Sequence, residues 1–154
     1  MFGKKKKWIN KGWDIGTKLL SVKKPDIFPA VSKVPAFVLE DRFIIFYAMD
    51  LLCNPKQEFW IITGDLPPAV IDAKDVEDER EAVTLFGQLY THDGEIVTGK
   101  SDGQVMLSDA VIGDKKYDKN FGEYLYSIGS YLSEMGRSFP WDEYGINGKV
   151  FEIK

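Results

Sequence analysis

Residues 59–68 read Phe-Trp-Ile-Ile-Thr-Gly-Asp-Leu-Pro-Pro. The first five positions are aromatic or β-branched, a composition typical of a buried strand. Gly64 allows a turn where the strand ends, Asp65 can accept hydrogen bonds from the backbone amides that follow, and Pro67-Pro68 stiffens the chain. The stretch therefore predicts a central strand followed by a fixed elbow. Because functional groups are often found at strand ends, Asp65 is also a candidate ligand-binding residue.

The sequence before this stretch predicts a second strand beside it. Residues 42–49 read Arg-Phe-Ile-Ile-Phe-Tyr-Ala-Met, which is typical of a buried strand. Residues 54–57 supply a turn composition, and residues 58–63 form the next strand. A connection this short implies an antiparallel pair.

The remaining periodic segments add helices and short strands. Apolar residues at helical spacing predict three helices, at residues 8–22, 76–90 and 117–135. We expect Asp93-Gly94 to end the second helix and Gly136 to end the third. Turn signals predict short strands at 95–98, 104–107 and 150–154, the last after Asn147-Gly148. Helices interspersed with antiparallel strands predict the α+β class.

Composition indicates one folded domain with a basic N-terminal arm or helix. The chain has 154 residues, of which 44% are hydrophobic, enough for a single core. Residues 1–30 carry eight lysines and two aspartates, a net charge of +6, whereas the rest of the chain carries −10. We therefore divide the chain into an arm at 1–30 and an α+β domain at 31–154. The arm is either solvated or packed on its own domain, or it contacts an anionic membrane or nucleic acid. Its candidate contact residues are Lys4, Lys5, Lys6, Lys7, Trp8 and Trp13.

Several kinds of site are excluded or disfavoured. With one cysteine and one histidine, the chain can form neither an internal disulfide nor a Cys/His zinc site. His92 follows a predicted helix, where a solvated side chain is expected. The acidic residues 72–81 read as a solvated helix start, and Asp118 as a helix cap rather than part of a calcium loop. No phosphate or dinucleotide motif occurs, so the sequence predicts no metal and no cofactor. No secretory signal or apolar run of membrane-spanning length is visible, which favours the cytoplasm.

The aromatic residues suggest a binding role. Tryptophan and tyrosine are favoured anchors of protein interfaces. Trp60 lies in an apolar run, so core packing is its expected role, although it is kept as a binding candidate. Trp141 and Tyr144 lie in a loop-like stretch and are predicted surface anchors.

Around the opening stretch the chain resembles an uncharacterised bacterial domain-of-unknown-function family. Members of that family carry Trp-Trp-x-Ile-x-Gly-Asp-Leu-Pro and, further on, Pro-Arg-Glu-Ala-Leu. The resemblance covers residues 36–90, and the matching positions are Phe59, Trp60, Ile62, Gly64, Asp65, Leu66, Pro67, Ile71, Arg80, Glu81, Ala82, Val83 and Phe86. Ala69 and Val70 stand where the family pattern has an acid and an aromatic residue, and Glu79 replaces its proline. The resemblance implies a bacterial origin and a shared αβ unit, and no reaction.

These observations predict a small acidic protein that is not an enzyme and that binds another macromolecule, most simply a protein. Immunity and antitoxin proteins are one class with this character. A first alternative is a small enzyme with a carboxylate-based site near Asp65. A second alternative is a contact of the lysine and tryptophan arm with an anionic membrane or nucleic acid.

Overall fold

The computed structural model describes residues 2–25, 35–50 and 57–141. In chain order its elements are α1 (Phe2–Lys23), β1 (Phe37–Leu39), β2 (Phe43–Asp50), β3 (Gln57–Gly64), β4 (Ala69–Asp72), α2 (Glu79–Val97), α3 (Asp109–Ile112), a 3₁₀ helix (Gly113–Tyr117) and α4 (Lys119–Ser138). Tyr144, the predicted turn at 54–56 and the predicted strand at 150–154 with its Asn147-Gly148 turn lie outside the described residues.

The four strands form one antiparallel sheet in the order β1-β2-β3-β4. The predicted α+β class is therefore confirmed, as are the two predicted strands: β2 begins one residue later than the first of them, and β3 contains the second. Their register pairs Phe43 with Gly64 and Tyr47 with Trp60. Strand β4 was not predicted; it follows the elbow directly and pairs Ala69 with Ile62.

Both faces of β2 and β3 are covered, which explains why these strands are apolar at nearly every position. On one face Ile44, Phe46 and Ile61 lie beneath α1. On the other face the Trp60 ring packs edge-on against Tyr47, with the ring centroids 5.1 Å apart. The indole nitrogen of Trp60 donates a hydrogen bond to the Val76 carbonyl, at 3.0 Å. Trp60 is therefore a fully buried core residue, as its neighbours predicted.

Helix α1 contains the helix predicted at 8–22 and starts six residues earlier. It buries Trp13, Leu19 and Leu20. Gly12 and Gly16 face the sheet so closely that a Cβ on Gly16 would lie 2.5 Å from Cγ2 of Ile61. The two glycines that weaken the helix by propensity are thus the positions where it approaches the sheet.

The chain divides into two compact units. The sheet unit comprises residues 1–82 and 141–154, and the helical unit comprises residues 83–140. The sheet unit contains α1, the sheet and the start of α2. The helical unit contains the rest of α2, with α3, the 3₁₀ helix and α4.

Within the helical unit, α2 and α4 pack antiparallel through small residues. A Cβ on Gly129 would lie 2.5 Å from the Thr91 nitrogen and 2.6 Å from the Gly87 oxygen. Further along, a Cβ on Gly94 would lie 2.7 Å from the Gly122 oxygen. On α4 the small residues Gly122, Gly129 and Gly136 recur every seven residues, which places them on one side of the helix. The two backbones therefore approach each other at van der Waals distance.

Four predictions about this region were wrong: the end of α2 at Asp93-Gly94, the strands at 95–98 and 104–107, and the end of α4 at Gly136. Helix α2 begins at Glu79 and continues through Asp93-Gly94 to Val97, so residues 95–97 are helical rather than a strand. Residues 104–107 are an irregular loop rather than a strand. Asp93 stays helical because its carboxylate accepts hydrogen bonds from amides of that loop, and Gly94 because it packs on the backbone of α4. Similarly, Gly136 does not end α4, which runs on to Ser138. Asp118 is confirmed as its N-cap.

Candidate functional site

The elbow after β3 has the predicted backbone geometry. Gly64 has a φ of 120°, and its α-carbon lies so close to β2 that an added Cβ would be 2.8 Å from Cα of Phe43. The Asp65 amide donates a hydrogen bond to the Arg42 carbonyl at 2.8 Å. Among the described residues, the Asp65 carboxylate has no hydrogen-bond partner. The expected hydrogen bonds from the backbone amides that follow it are therefore not formed. Asp65 is exposed.

The structure brings the elbow and the start of α1 together. The half-buried Trp8 ring lies against Gly64, 3.3 Å from where a Cβ would stand. Two groups of candidate residues that are distant in sequence, Asp65 and the basic arm, are therefore neighbours. Trp8 fastens the first turns of α1 to the end of the sheet.

The solvent-facing side of α1 is a row of lysines with two aliphatic residues. Lys4, Lys7, Lys11, Ile15, Lys18 and Val22 are separated by three or four residues and are all exposed. Residues at this spacing share one side of a helix. We call these six residues the lysine face. It lies opposite the side with which α1 contacts the sheet, whereas Lys5 and Lys6 flank it and are also exposed.

Three candidate tryptophans are in the core of the sheet unit. Trp13 is buried with its ring centroid 5.4 Å from that of Phe46. Trp60 is fully buried. Trp141 was predicted as a surface anchor, but only 3% of it is exposed, because its ring packs on Phe37 with a centroid separation of 4.9 Å. Its buried ring cannot serve as an anchor on the surface.

Among the described residues, the exposed aromatic side chains are tyrosines of the helical unit, none of which the sequence singled out as a site candidate. Tyr117 is 88% exposed, Tyr124 is 45% exposed, and Tyr126 and Tyr131 are each 43% exposed. Tyr124, the half-buried Ile128 and Tyr131 follow one another at spacings of four and three along α4. We call these three residues the tyrosine face.

The sequence contained a signal for this arrangement. The apolar spacing that predicts the helix at 117–135 includes Tyr124 together with Leu125 and Leu132, so it does not separate the exposed ring from the buried side chains. Only the leucines are buried, and they alternate with Gly122, Gly129 and Gly136. A glycine every seven residues marks the side of closest approach, which leaves the tyrosines at its margin.

The buried carboxylate of Asp93 positions a loop of the helical unit. Its two oxygens accept hydrogen bonds from the amides of Met106 and Leu107, at 2.8 and 2.7 Å. The ring nitrogen Nδ1 of His92 lies 2.9 Å from the first of these oxygens. Because this carboxylate is fully buried and already bonded to the backbone, its role is structural. His92 is about half-exposed, as predicted for a solvated side chain.

The positioned loop borders a surface cavity of about 530 Å³. The cavity is lined by Ile96, Gly103, Gln104, Val105, Leu107, Asp109, Lys116 and Tyr117. Its charged groups, Asp109 and Lys116, are both exposed. No strongly buried polar group marks a defined ligand position, so the cavity defines no chemistry.

In the helical unit, Tyr90 and Glu134 have pKa values that depart from their ordinary values. Burial, with smaller contributions from Tyr124 and Asp93, raises the pKa of Tyr90 well above its ordinary value. Tyr90 is therefore a neutral core residue at physiological pH. Hydrogen bonds from Ser138 and Arg137 lower the pKa of the exposed Glu134.

Within residues 2–25, 35–50 and 57–141, no group of histidine, cysteine and acidic side chains is arranged to hold a metal ion. None of the helices in the same ranges is long and apolar enough to cross a membrane.

Together these features define a small α+β protein whose candidate sites are helix surfaces. Residues 31–115 match the family described as a domain of unknown function, DUF4826, and the chain belongs to this family. The match covers the sheet, α2 and α3, and ends within the 3₁₀ helix, whereas α1 and α4 lie outside it. It includes residues 36–90, for which the sequence indicated such a family. No curated protein and no solved structure matches the chain.

Proposed function

We propose that this protein is a non-catalytic binding module that binds another protein through the tyrosine face of α4. The observation that carries the proposal is the exposure of Tyr124 and Tyr131, two turns apart on one side of a well-anchored helix. Tyrosine contributes a large rigid contact area and a hydrogen-bonding hydroxyl, and it is enriched in protein interfaces.

The anchoring of α4 supports this role. Close packing of Gly122, Gly129 and Gly136 on α2 holds the helix in place, so the exposed rings are presented from a rigid support. The spacing of Tyr124, Ile128 and Tyr131 spans about 10 Å along the helix axis. That is the length over which a partner helix would place two or three apolar side chains.

The charges beside the tyrosine face indicate the chemistry of the partner. Exposed Glu123, Ser127, Ser130 and Glu134 border it on the solvent side. Glu134 is bonded to Arg137 at 2.8 Å, but an exposed pair of this kind contributes little and leaves the site open to exchange of partners. A complementary surface would carry an apolar stripe flanked by lysine or arginine.

The alternative of a carboxylate-based enzyme has weaker support. Catalytic carboxylates usually lie in clefts that exclude water, and Asp65 is exposed at a turn. The buried Asp93 is already bonded to two backbone amides.

The proposal is tested by capture of a partner from the native host, followed by affinity measurement with the purified pair. The informative variant is Tyr124→Ser with Tyr131→Ser. The matched control is Tyr126→Ser, because Tyr126 lies on the same helix and is equally exposed but points away from the tyrosine face. We expect the double variant to weaken binding by at least about 30-fold, as for loss of two interface anchors. The control should change it less than about threefold.

Equal effects of the double variant and the control would contradict the assignment of the surface. Within this function, an immunity or antitoxin role is the narrower proposal. It predicts that the captured partner is the product of an adjacent gene and that its toxicity on expression is suppressed by the wild-type chain but not by the double variant. Suppression by both would contradict a role of the tyrosine face in that process.

A further inference from the structure

The lysine face of α1 is a second surface whose chemistry differs from that of the tyrosine face. Four of its six residues are lysines, and all four are exposed. The opposite side of the helix is occupied by the sheet through Gly12, Trp13 and Gly16. The lysines are therefore held outward by a helix that is packed on the sheet, and they do not belong to a mobile tail.

From this arrangement we propose that α1 lies flat against the surface of an anionic lipid bilayer. From Lys4 to Val22 the face extends for about 27 Å along the helix. The four lysines point to the same side, where a negatively charged plane attracts each of them. The only acidic residue of α1 is Asp14, which is exposed beside Lys11 and Lys18, so the four lysines and Asp14 together carry a net charge of +3.

Two aliphatic residues favour a bilayer over a nucleic acid. Ile15, which is 40% exposed, interrupts the row of lysines, and Val22, which is 58% exposed, ends it. Burial of aliphatic side chains at the boundary between lipid headgroups and acyl chains is favourable, whereas a phosphate backbone has no apolar surface against which they could pack. Nucleic-acid surfaces more often present arginine or exposed aromatic rings, whereas the two tryptophans of α1 are covered: Trp13 is buried in the core and Trp8 is half-buried at the elbow.

The structure also limits how the helix binds. Trp13, Leu19 and Leu20 pack in the sheet unit, so they are not available for insertion into the bilayer. The contact is consequently superficial and electrostatic, and it weakens as salt screens the lysines.

The test measures co-sedimentation of the full chain with two kinds of vesicle. The first contains phosphatidylcholine alone, and the second contains about 30 mol% phosphatidylglycerol in phosphatidylcholine, an anionic fraction that gives a strong negative surface potential. The variant replaces Lys4, Lys7, Lys11 and Lys18 by glutamine, which keeps helix propensity nearly unchanged. The matched control replaces Lys100, Lys115, Lys116 and Lys119, which are equally exposed, so the net charge changes by the same amount.

We expect binding to the anionic vesicles only, and a loss of at least about 50-fold in partitioning for the α1 variant, since each lysine near such a surface is worth roughly fivefold. The control variant should lose less than about fivefold. Equal binding to neutral vesicles, or equal losses in both variants, would overturn the proposal.

A second variant separates lipid from nucleic acid. Ile15→Ala with Val22→Ala removes the aliphatic contacts and improves helix propensity, so folding is preserved. It should weaken vesicle binding about threefold or more, as for loss of partly buried aliphatic groups. Binding of a 20-base-pair duplex tighter than vesicle binding, by fluorescence anisotropy at equal salt and equal phosphate concentration, would assign the face to nucleic acid instead.

Discussion

Glycines allow close packing at two interfaces of the molecule, between α1 and the sheet and between α2 and α4. The atoms that these glycines face differ between the two interfaces. On the sheet, Gly12 and Gly16 face only side-chain atoms, with Thr63 Oγ1 and Ile61 Cγ2 at 2.6 and 2.5 Å from the Cβ positions. Between α2 and α4, Gly129 faces the Thr91 side-chain oxygen and also backbone atoms, the Thr91 nitrogen at 2.5 Å and the Gly87 oxygen at 2.6 Å.

The difference determines how each region responds to an added methyl group. A side chain can shift slightly or turn to another rotamer, although the β-branched Ile61 and Thr63 do so at a cost. A helical backbone can move only if the two helices separate, which also loosens the other small-residue contacts along them. The helical unit should therefore be the more sensitive of the two.

The largest effect is expected for Gly129→Ala. The new methyl would press on the Thr91 amide and the Gly87 carbonyl. We expect a loss of about 3 kcal/mol in the free energy of unfolding, even after the better helix propensity of alanine. Urea denaturation followed by circular dichroism measures it, with the exposed Ser130→Ala as the control. A loss below that of Gly16→Ala would reverse the comparison.

A second test concerns the polar contact of the helical unit. In Asp93→Asn, one oxygen becomes an NH₂ group that faces a backbone amide, so one of the bonds to Met106 or Leu107 is replaced by a repulsive contact. We expect a loss of about 2 kcal/mol and faster tryptic cleavage at Lys100, measured by gel. The exposed Asp102→Asn is the control. If cleavage at Lys100 is unchanged, the carboxylate does not hold the loop.

A smaller loss is expected for Gly16→Ala on α1. The methyl meets Cγ2 of Ile61, a buried side chain that must adjust by a few tenths of an ångström or rotate. Helix propensity offsets part of the cost, which leaves a net loss of about 1 kcal/mol. Thermal denaturation measures it. A loss as large as that of Gly129→Ala would show that the side chains of the sheet core accommodate an added methyl group no better than helix backbone does.

The smallest effect, of opposite sign, is expected for Gly3→Ala. No atom lies within 4 Å of the Cβ position of Gly3, so only helix propensity changes. We expect stabilisation by about 0.5 kcal/mol, less than for a central position because helix ends fray. The same denaturation experiment measures it. A destabilisation would mean that the added methyl group at the first turn of α1 collides with another part of the molecule.

Much of the sheet unit was predictable because its signals are local. The apolar runs of β2 and β3 exceed what a half-buried strand needs, and Gly64 ends β3 where the composition indicated. Strand β4 was missed because four residues after a double proline carry little periodicity, and their strand conformation comes from pairing with β3.

The helical unit was harder to predict because its decisive contacts are distant in sequence. Asp93-Gly94 has the composition of a turn, but contacts with residues 106–107 and 122 hold it in a helix. Similarly, Trp141 and Tyr144 were predicted as surface anchors, but Trp141 is buried, and Tyr144 lies outside the described residues. Trp141 is covered by the sheet unit, while Tyr124 and Tyr131 are exposed because glycines occupy the packed side of α4.

The carboxylate of Asp93 has a consequence for exchange of backbone hydrogens with solvent. The amides of residues 102–105 and of Ser108 lie outside helices and strands and donate no hydrogen bond within the described residues, so they should exchange within seconds. The amides of Met106 and Leu107 are bonded to a group that is fully buried, and their exchange requires opening of that contact. Two slow amides inside a fast segment would be the signature of this contact in deuterium exchange followed by NMR, and it would report the opening of the helical unit without any mutation.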